Sequence, residues 1–298
     1  MSKFTLQPED GTVQNGDTRG DASVDLQVSR SASDQVASGY AAIIVGGENN
    51  KASGDYSGCV GFGNVADGTG SLAMGYSNTA TGDYSFAAGF NAQSLGVGSA
   101  ALGYEAVVQS IGGAILFCNN GLVSATGVYA TLLGGLQGKG YTYGQRVIAN
   151  GGFSGAVGTA QLSTVIQRTS ATMSFPVPAV LYSDASAVLI LPDGNNRSWN
   201  MSIDWVSVVT NPGLGAGMSI GDTAIGKNMV LVKKSGGTVT IGTNTSIATS
   251  NSNASMNGCA INVTTALGAV IVSFTPPTAA NGTILRVVAT LNFTELAW

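Results

Sequence analysis

The sequence predicts an all-β protein in which a thin β-roll of 14-residue coils precedes an antiparallel β-sandwich. Three observations lead to this prediction. Glycines recur with a period near 14 in the middle of the chain, short alternating stretches separate them, and the second half contains apolar runs divided by turn residues. Period-2 alternation between turn residues is typical of strands, and no long helical pattern is present.

These patterns divide the chain into four predicted segments. Residues 1–35 are polar and rich in acidic side chains, and residues 36–137 form the β-roll. Residues 138–168 connect the β-roll to residues 169–298, which form a jelly-roll-like β-sandwich. In the last segment the turn signals PDGNN (192–196), KSGG (234–237) and AANGT (279–283) separate roughly nine or ten strands.

The β-roll is predicted from pairs of glycines seven residues apart, and successive pairs step by 15, 14, 14 and 14 residues. Interior glycines cost a helix about 1 kcal/mol each, so a coiled coil is excluded. Two strands and two turns per coil fit the spacing, although the pattern degrades between residues 105 and 126, which leaves its continuity open there. The repeat residues are Gly39, Gly46, Gly54, Gly61, Gly68, Gly75, Gly82, Gly89, Gly96 and Gly103, with Phe62, Tyr76, Phe90 and Tyr104 following four of the pairs.

The composition predicts an oligomer. Only 9% of the residues are charged, against about 25% in an ordinary soluble protein. A 14-residue coil is too thin to enclose its own apolar face, and repeats of this kind need neighbours to cover it. Three chains around one axis are the most economical closed arrangement, so we expect a homotrimer.

Several function classes are excluded or disfavoured by the residue types. The three cysteines lie far apart without a C-x-x-C pair, so we expect no zinc site and no cofactor. A net charge of −4 gives no basic footprint for nucleic acid. The longest apolar runs, such as ALGAVIVSF (266–274), are well short of the ~20 residues of a membrane helix, so we expect no membrane insertion.

Catalysis is not expected either. The chain has no histidine, which removes Ser-His and Cys-His nucleophiles. Glycoside cleavage would need two carboxylates about 5–9.5 Å apart, and most acids of the last segment stand beside turn residues. We therefore predict a non-enzyme with no catalytic or metal-binding residues. The acids in question are Asp184, Asp193, Asp204, Asp222 and Glu295.

Aromatic residues near turns are the candidate ligand contacts, because exposed rings anchor interfaces. Trp199 and Arg197 follow the PDGNN turn and are the first choice, with Tyr182 as a third possible receptor contact. Trp205 alternates with Ile203 and is interpreted as core. The tripeptide Arg19-Gly20-Asp21 is interpreted as a polar turn rather than an integrin-binding motif.

The motifs SLAMG, SFAAG and SAALG resemble the head repeats of trimeric autotransporter adhesins, in which three chains build a left-handed parallel β-roll. The flanks resemble bacteriophage tail-fibre proteins instead, through RGDASVDLQVSRSASDQVASGYAAIIVGGENNKASGDYS (19–57), through YGQRVIANGGFSGAVGTAQLSTVIQR (143–168) and through the β domain that follows. The opening MSKFTLQPEDGTVQNGD also lacks the apolar core of a signal peptide.

The resemblance implies a trimeric virion fibre, made in the host cytoplasm and carried as a tail or capsid appendage. Its N-terminal segment would attach to other virion proteins, and its C-terminal domain would bind a glycan or protein of the host surface. Two alternatives stay open: a head fibre or capsid decoration protein, and a glycan-cleaving tailspike.

Overall fold

The computed structural model describes residues 18–149, 160–175, 177–183, 189–190, 197–214, 216–235, 238–266 and 269–297. Within these ranges the chain forms strands and two short 3-10 turns, Ala254–Met256 and Thr278–Ala280, without an α-helix. The all-β prediction is therefore confirmed. Residues 1–17 of the predicted attachment segment, residues 150–159 of the predicted connector and the PDGNN turn lie outside the described residues.

The described chain divides into two compact units. The first holds residues up to 140 together with 147–149, and the second holds residues 141–146 and those from 160 onward. The first unit contains strands β1 (Val24–Asp25), β2 (Ile43–Glu48), β3 (Lys51–Ala52), β4 (Gly58–Phe62), β5 (Val65–Ala66), β6 (Leu72–Tyr76), β7 (Thr79–Ala80), β8 (Phe86–Phe90), β9 (Gln93–Ser94), β10 (Ala100–Tyr104), β11 (Val107–Val108), β12 (Ala114–Asn119), β13 (Leu122–Val123), β14 (Thr131–Leu136), β15 (Lys139–Gly140) and β16 (Arg146–Ala149). Arg146, at the start of β16, is assigned to the second unit.

The first unit is a parallel β-solenoid. Each coil contributes one longer strand to a sheet ordered β1-β2-β4-β6-β8-β10-β12-β14-β16 and one two-residue strand to a second sheet ordered β15-β13-β11-β9-β7-β5-β3. The predicted 14-residue coil is confirmed by the register, in which Leu72 pairs with Phe86 and Phe86 with Ala100. Pairing continues from β10 through β12 to β14 with a shift after Leu102, so the solenoid is continuous where the sequence pattern degrades.

The solenoid interior is narrow because each coil sends only small or medium side chains inward. The longer strands of successive coils place a fully buried apolar residue in register, with alanines in the central coils and larger residues towards both ends. The column consists of Ile44, Cys59, Ala73, Ala87, Ala101, Ile115, Leu132 and Val147.

The two glycines of each pair serve different geometric needs. Gly75 has φ +113°, and a Cβ at that position would collide with the backbone carbonyl of Gly89 in the next coil. Gly82 lies in ordinary φ space, yet a Cβ there would collide with the carbonyl of Gly96. The first glycine of a pair is thus required because the coils stack closely. The second is required both by close stacking and by its positive φ.

A buried asparagine ladder, consisting of Asn50, Asn64 and Asn78, runs along the first coils. The Asn64 side chain donates to Asn50 Oδ1 at 3.0 Å and to the carbonyls of Val60 and Gly75 at 3.1 and 2.9 Å. Its own Oδ1 accepts from the Asn78 backbone and side chain at 3.0 Å. The ladder therefore satisfies backbone groups that the turns leave unpaired, as buried polar groups require. Sequence reasoning missed it, although the 14-residue spacing of the asparagines was a usable signal.

The second unit is an antiparallel β-sandwich, as predicted. Its strands are β17 (Ala160–Thr172), β18 (Ala179–Val180), β19 (Leu189–Ile190), β20 (Arg197–Asn211), β21 (Thr223–Ser235), β22 (Thr238–Ile241), β23 (Thr245–Asn251), β24 (Ala260–Ala266), β25 (Ala269–Thr275) and β26 (Ile284–Ala297). One sheet has the order β17-β26-β20-β21, with β22 and β23 both on β21, and the other has the order β18-β25-β19, with β24 on β25.

The sandwich core forms between these two sheets. Alternate residues of β20, including Met201 and Ile203, pack in one cluster with Val272 and Phe274 of β25. The rings of Trp205 and Phe274 meet edge to face with centroids 5.7 Å apart. The interpretation of Trp205 as a core residue is confirmed, since its side chain is 4% exposed.

Candidate functional site

The predicted contact residues of β20 point inward rather than outward. Trp199 has the same parity along the strand as Met201, Ile203 and Trp205, and its side chain is only 2% exposed. The expectation that the Trp199 indole is exposed for contact with a ligand is therefore wrong. The physical reason is that successive side chains of a strand alternate between faces, and this parity faces the second sheet.

Arg197 is held by a buried carboxylate. Its guanidinium forms an ion pair with Glu295, and the carboxylate also accepts from the Tyr141 hydroxyl at 3.0 Å and from Gln161 Nε2 at 3.1 Å. Burial raises the pKa of the Glu295 carboxyl above its usual value, although the charge of Arg197 acts in the opposite direction. Burial and the nearby Glu295 also raise the Tyr141 pKa well above 10. These contacts join β17, β20 and β26 into one buried polar network.

Tyr182, the third predicted contact residue, lies beside a surface hollow of the second unit. Its backbone exchanges two hydrogen bonds with Arg168, at 2.8 and 3.0 Å. The hollow measures about 560 Å³, within the 300–1,000 Å³ of small-molecule sites. Its polar lining comes from Arg168, Thr169, Ser170, Tyr182 and Arg286.

A second hollow of about 200 Å³ shares Arg168 with the first. Arg146, Tyr143 and Thr164 contribute further polar groups to it. Together the two hollows form what we call the arginine groove, lined by Arg146, Arg168 and Arg286 with Tyr143 and Tyr182. Sequence reasoning found only Tyr182, because the three arginines are far apart in the chain and no local pattern connects them.

The carboxylates considered for catalysis have structural partners wherever they are described. Asp204 lies 3.4 Å from Lys227 Nζ. Asp222 accepts from the Ser219 backbone at 2.7 Å and from Asn253 Nδ2 at 2.8 Å, while Glu295 is buried against Arg197. Asp184 and Asp193 lie outside the described residues. Across the described ranges no group of three or more His, Cys, Asp or Glu side chains could hold a metal ion.

The Arg-Gly-Asp tripeptide belongs to the first coil of the solenoid. Arg19 Nε lies 3.5 Å from the buried carboxylate of Asp25, which Arg30 also contacts at 3.4 Å. Arg19 is thus engaged in the fold while Asp21 is exposed. This geometry favours the structural interpretation of the tripeptide.

The solenoid surface carries an aromatic ladder, which consists of Phe62, Tyr76, Phe90 and Tyr104. Neighbouring rings are stacked with centroids 5.0, 5.2 and 4.9 Å apart, which matches the distance between adjacent strands. The four side chains remain between 38% and 47% exposed on the single chain. Regular exposed apolar surface of this kind is typical of interaction sites.

Part of the solenoid is similar to a known repeat family. Residues 66–92 match the YadA head domain repeat in two copies. The match contains the whole of β6, β7 and β8, with the ladder residues Tyr76 and Phe90 inside it. A search of curated proteins finds no match to this chain.

Three solved tailspike structures are similar over most of this chain. The Acinetobacter baumannii phage AM24 tailspike is 11% identical with a TM-score of 0.29, covering 86% of this chain and 54% of its own. The Acinetobacter phage vB_ApiP_P1 tailspike is 7% identical with a TM-score of 0.23, covering 86% and 51%. Tailspike gp49 of the A. baumannii bacteriophage Fri1, a capsular polysaccharide depolymerase, is 11% identical with a TM-score of 0.20, covering 88% and 45%. This chain therefore spans about half the length of these proteins.

The described ranges contain no helix long and apolar enough to span a bilayer.

Proposed function

We propose that this chain is the subunit of a homotrimeric bacteriophage fibre that presents its antiparallel unit to the host surface. The aromatic ladder carries this proposal. Four stacked rings stay exposed on one chain, beside and within the segment that matches an adhesin head repeat. Further copies around an axis would remove this apolar surface from water, which stabilises an assembly by about 25 cal/mol per Å².

The bacteriophage assignment rests on the resemblance of residues 19–57 and 143–168 to tail-fibre proteins. In this proposal residues 1–35 attach to other virion proteins and the solenoid is a rigid spacer. The sandwich contacts a host glycan or protein without cleaving it. The described acids of the last segment, Asp204, Asp222 and Glu295, favour binding over cleavage, since each has a structural partner.

The oligomeric state is the first test. Light scattering on the purified full chain should give three times the 29.8 kDa mass of one subunit. Tyr76→Ser should weaken assembly, because it removes a ring stacked on both Phe62 and Phe90. Tyr84→Ser is the matched control, since that exposed tyrosine lies outside the ladder. A stable folded monomer of the unaltered chain would contradict the proposal.

Location and activity need two further experiments. Gold-labelled antibodies should mark the tail of intact virions, whereas labelling of the capsid would identify a head fibre or decoration protein instead.

Purified protein should leave host surface polysaccharide at its original length. Release of oligosaccharides would contradict the binding fibre and support the second candidate, a glycan-cleaving tailspike.

A further inference from the structure

The six arginines of the chain fall into two sets of three. Arg19 and Arg30 contact the buried Asp25, and Arg197 contacts the buried Glu295. The other three, Arg146, Arg168 and Arg286, all line the arginine groove. One set therefore stabilises the interior, and the other set is concentrated at one surface site.

The groove arginines differ from the other three in the charges described around them. Among the described residues no Asp or Glu forms an ion pair with any of the three, and no acid lines either hollow. This is unusual in a chain with 16 acidic and 12 basic residues. Uncompensated positive charge in a concave site concentrates the field there and attracts an anion.

Strand pairing fixes the relative positions of two of these arginines. Arg168 of β17 pairs with Val288, and Arg286 of β26 pairs with Ser170, so the arginines are diagonal neighbours on one face. Such neighbours have Cα atoms about 7–8 Å apart, within reach of one ligand for long side chains. Both side chains are exposed, so substituting them leaves the sandwich core intact.

The chemistry of the lining narrows the ligand class. Guanidinium groups are planar forks that bind carboxylates with two parallel hydrogen bonds, which an ammonium cannot do. Tyr143 and Tyr182 supply ring surface, and Thr164, Thr169 and Ser170 supply hydroxyls beside the arginines. A carboxylate with apolar ring faces and many hydroxyls is the signature of an acidic sugar.

We propose that the arginine groove binds a carboxylated saccharide, with Arg168 and Arg286 holding the carboxylate. This inference rests on the proposed function, in that the saccharide would be a component of the host surface. It deepens that proposal by naming the ligand class and the residues. An acidic peptide is the competing ligand, and the experiment below separates the two.

The test measures binding to the purified full chain by titration calorimetry at low salt. The probes are hexagalacturonate, a hyaluronan hexasaccharide and a sialic acid trimer. The comparisons are the carboxyl-reduced form of each sugar and a hexaglutamate peptide. At least one carboxylated sugar should bind, and its reduced counterpart should bind at least ten-fold more weakly. Binding of hexaglutamate as tight as that of every sugar would overturn the saccharide assignment.

Variants then locate the site. Arg168→Gln and Arg286→Gln should each weaken binding about ten-fold or more, and Arg168→Lys should restore only part of it because the fork is lost. Lys227→Gln is the matched control, an exposed cation on β21 that lies outside the groove lining. Circular dichroism and light scattering confirm that each variant folds and assembles as the unaltered chain does.

The outcomes distinguish this inference from the proposed function. The groove assignment is overturned if none of the three carboxylated probes binds, or if both glutamine variants bind as tightly as the unaltered chain. Neither result affects the trimer or the antibody labelling of virions. Arginine-dependent binding by a protein that is monomeric or absent from virions would uphold the groove and overturn the fibre.

Discussion

At the residue scale, the solenoid glycines differ in what they can tolerate. Gly98 has φ +63° with no atom near an added Cβ, whereas Gly75 combines φ +113° with the Gly89 carbonyl in the way. Ala41 occupies the turn position equivalent to Gly98 with φ +51°, so an alanine is compatible with that conformation. Positive φ and close approach are therefore separable requirements along one repeat.

Gly75→Ala is expected to destabilise the solenoid by at least about 3 kcal/mol, because strain at positive φ adds to a backbone collision between coils. Gly98→Ala should cost only about 1 kcal/mol, the strain term alone. Urea unfolding followed by circular dichroism measures both. Equal losses for the two variants would show that coil spacing does not depend on the second glycine of the pair.

At the element scale, the asparagine ladder runs through the first coils beside the apolar column. Each ladder amide satisfies carbonyls in its own coil and the next, and the column ends where Ala92 donates its backbone N–H to Asn78 Oδ1 at 2.9 Å. Side-chain amides both donate and accept, so one residue type can repeat along the column without an unpaired group.

Asn64→Asp should therefore cost about 3 kcal/mol or more at pH 7, since the carboxylate would face the carbonyls of Val60 and Gly75 that the amide now contacts. The loss should shrink in acid, where a protonated carboxyl donates again. Asn91→Asp is the control, because Asn91 is exposed at a positive-φ turn that Asp also tolerates. Comparable losses at both positions would refute a structural role for the ladder.

The sheet network around Glu295 makes the stability of the second unit depend on pH. Its raised pKa means that the folded carboxyl holds its proton more tightly than the unfolded one. Stability is therefore greatest below the unfolded pKa of about 4.3 and falls as pH rises through the folded value. In Glu295→Gln this component of the pH dependence should vanish.

Urea midpoints measured from pH 4 to pH 8 test this expectation. Asp204→Asn is the control, since that exposed carboxylate on β20 pairs with the exposed Lys227. The control should retain the slope of the unaltered chain. If Glu295→Gln retains this slope as well, another group causes the pH dependence of stability.

The sequence predicted those elements whose signals are local and periodic. The coil length, the paired glycines and the stacked aromatics all follow from residues 14 positions apart, which the solenoid places side by side. Trp199 was misassigned because its neighbouring turn outweighed its strand parity, which matches that of the correctly assigned Trp205. The arginine groove was beyond prediction, because only the pairing of β17 with β26 brings Arg168 and Arg286 together.

At the scale of the whole molecule, the three cysteines provide one reporter for each hydrophobic cluster. Cys59 lies in the cluster of the first coils, Cys118 in that of the later coils and Cys259 in the sandwich core. Burial raises the pKa of Cys59 to about 12 and that of Cys259 to about 11, and it raises the Cys118 pKa as well. The thiolate is the reactive form, so all three should resist alkylation at pH 8 in the folded protein.

Alkylation with iodoacetamide along a urea gradient, read for each cysteine by mass spectrometry, should therefore follow unfolding. Solenoid coils contact mainly their neighbours, so Cys59 and Cys118 should become reactive together when coil stacking fails. Cys259 should follow its own midpoint, because its cluster shares no residue with the other two. Glu295→Gln should move only the Cys259 midpoint, and Gly75→Ala only the other two. A single midpoint for all three cysteines in every variant would mean that the two units unfold as one.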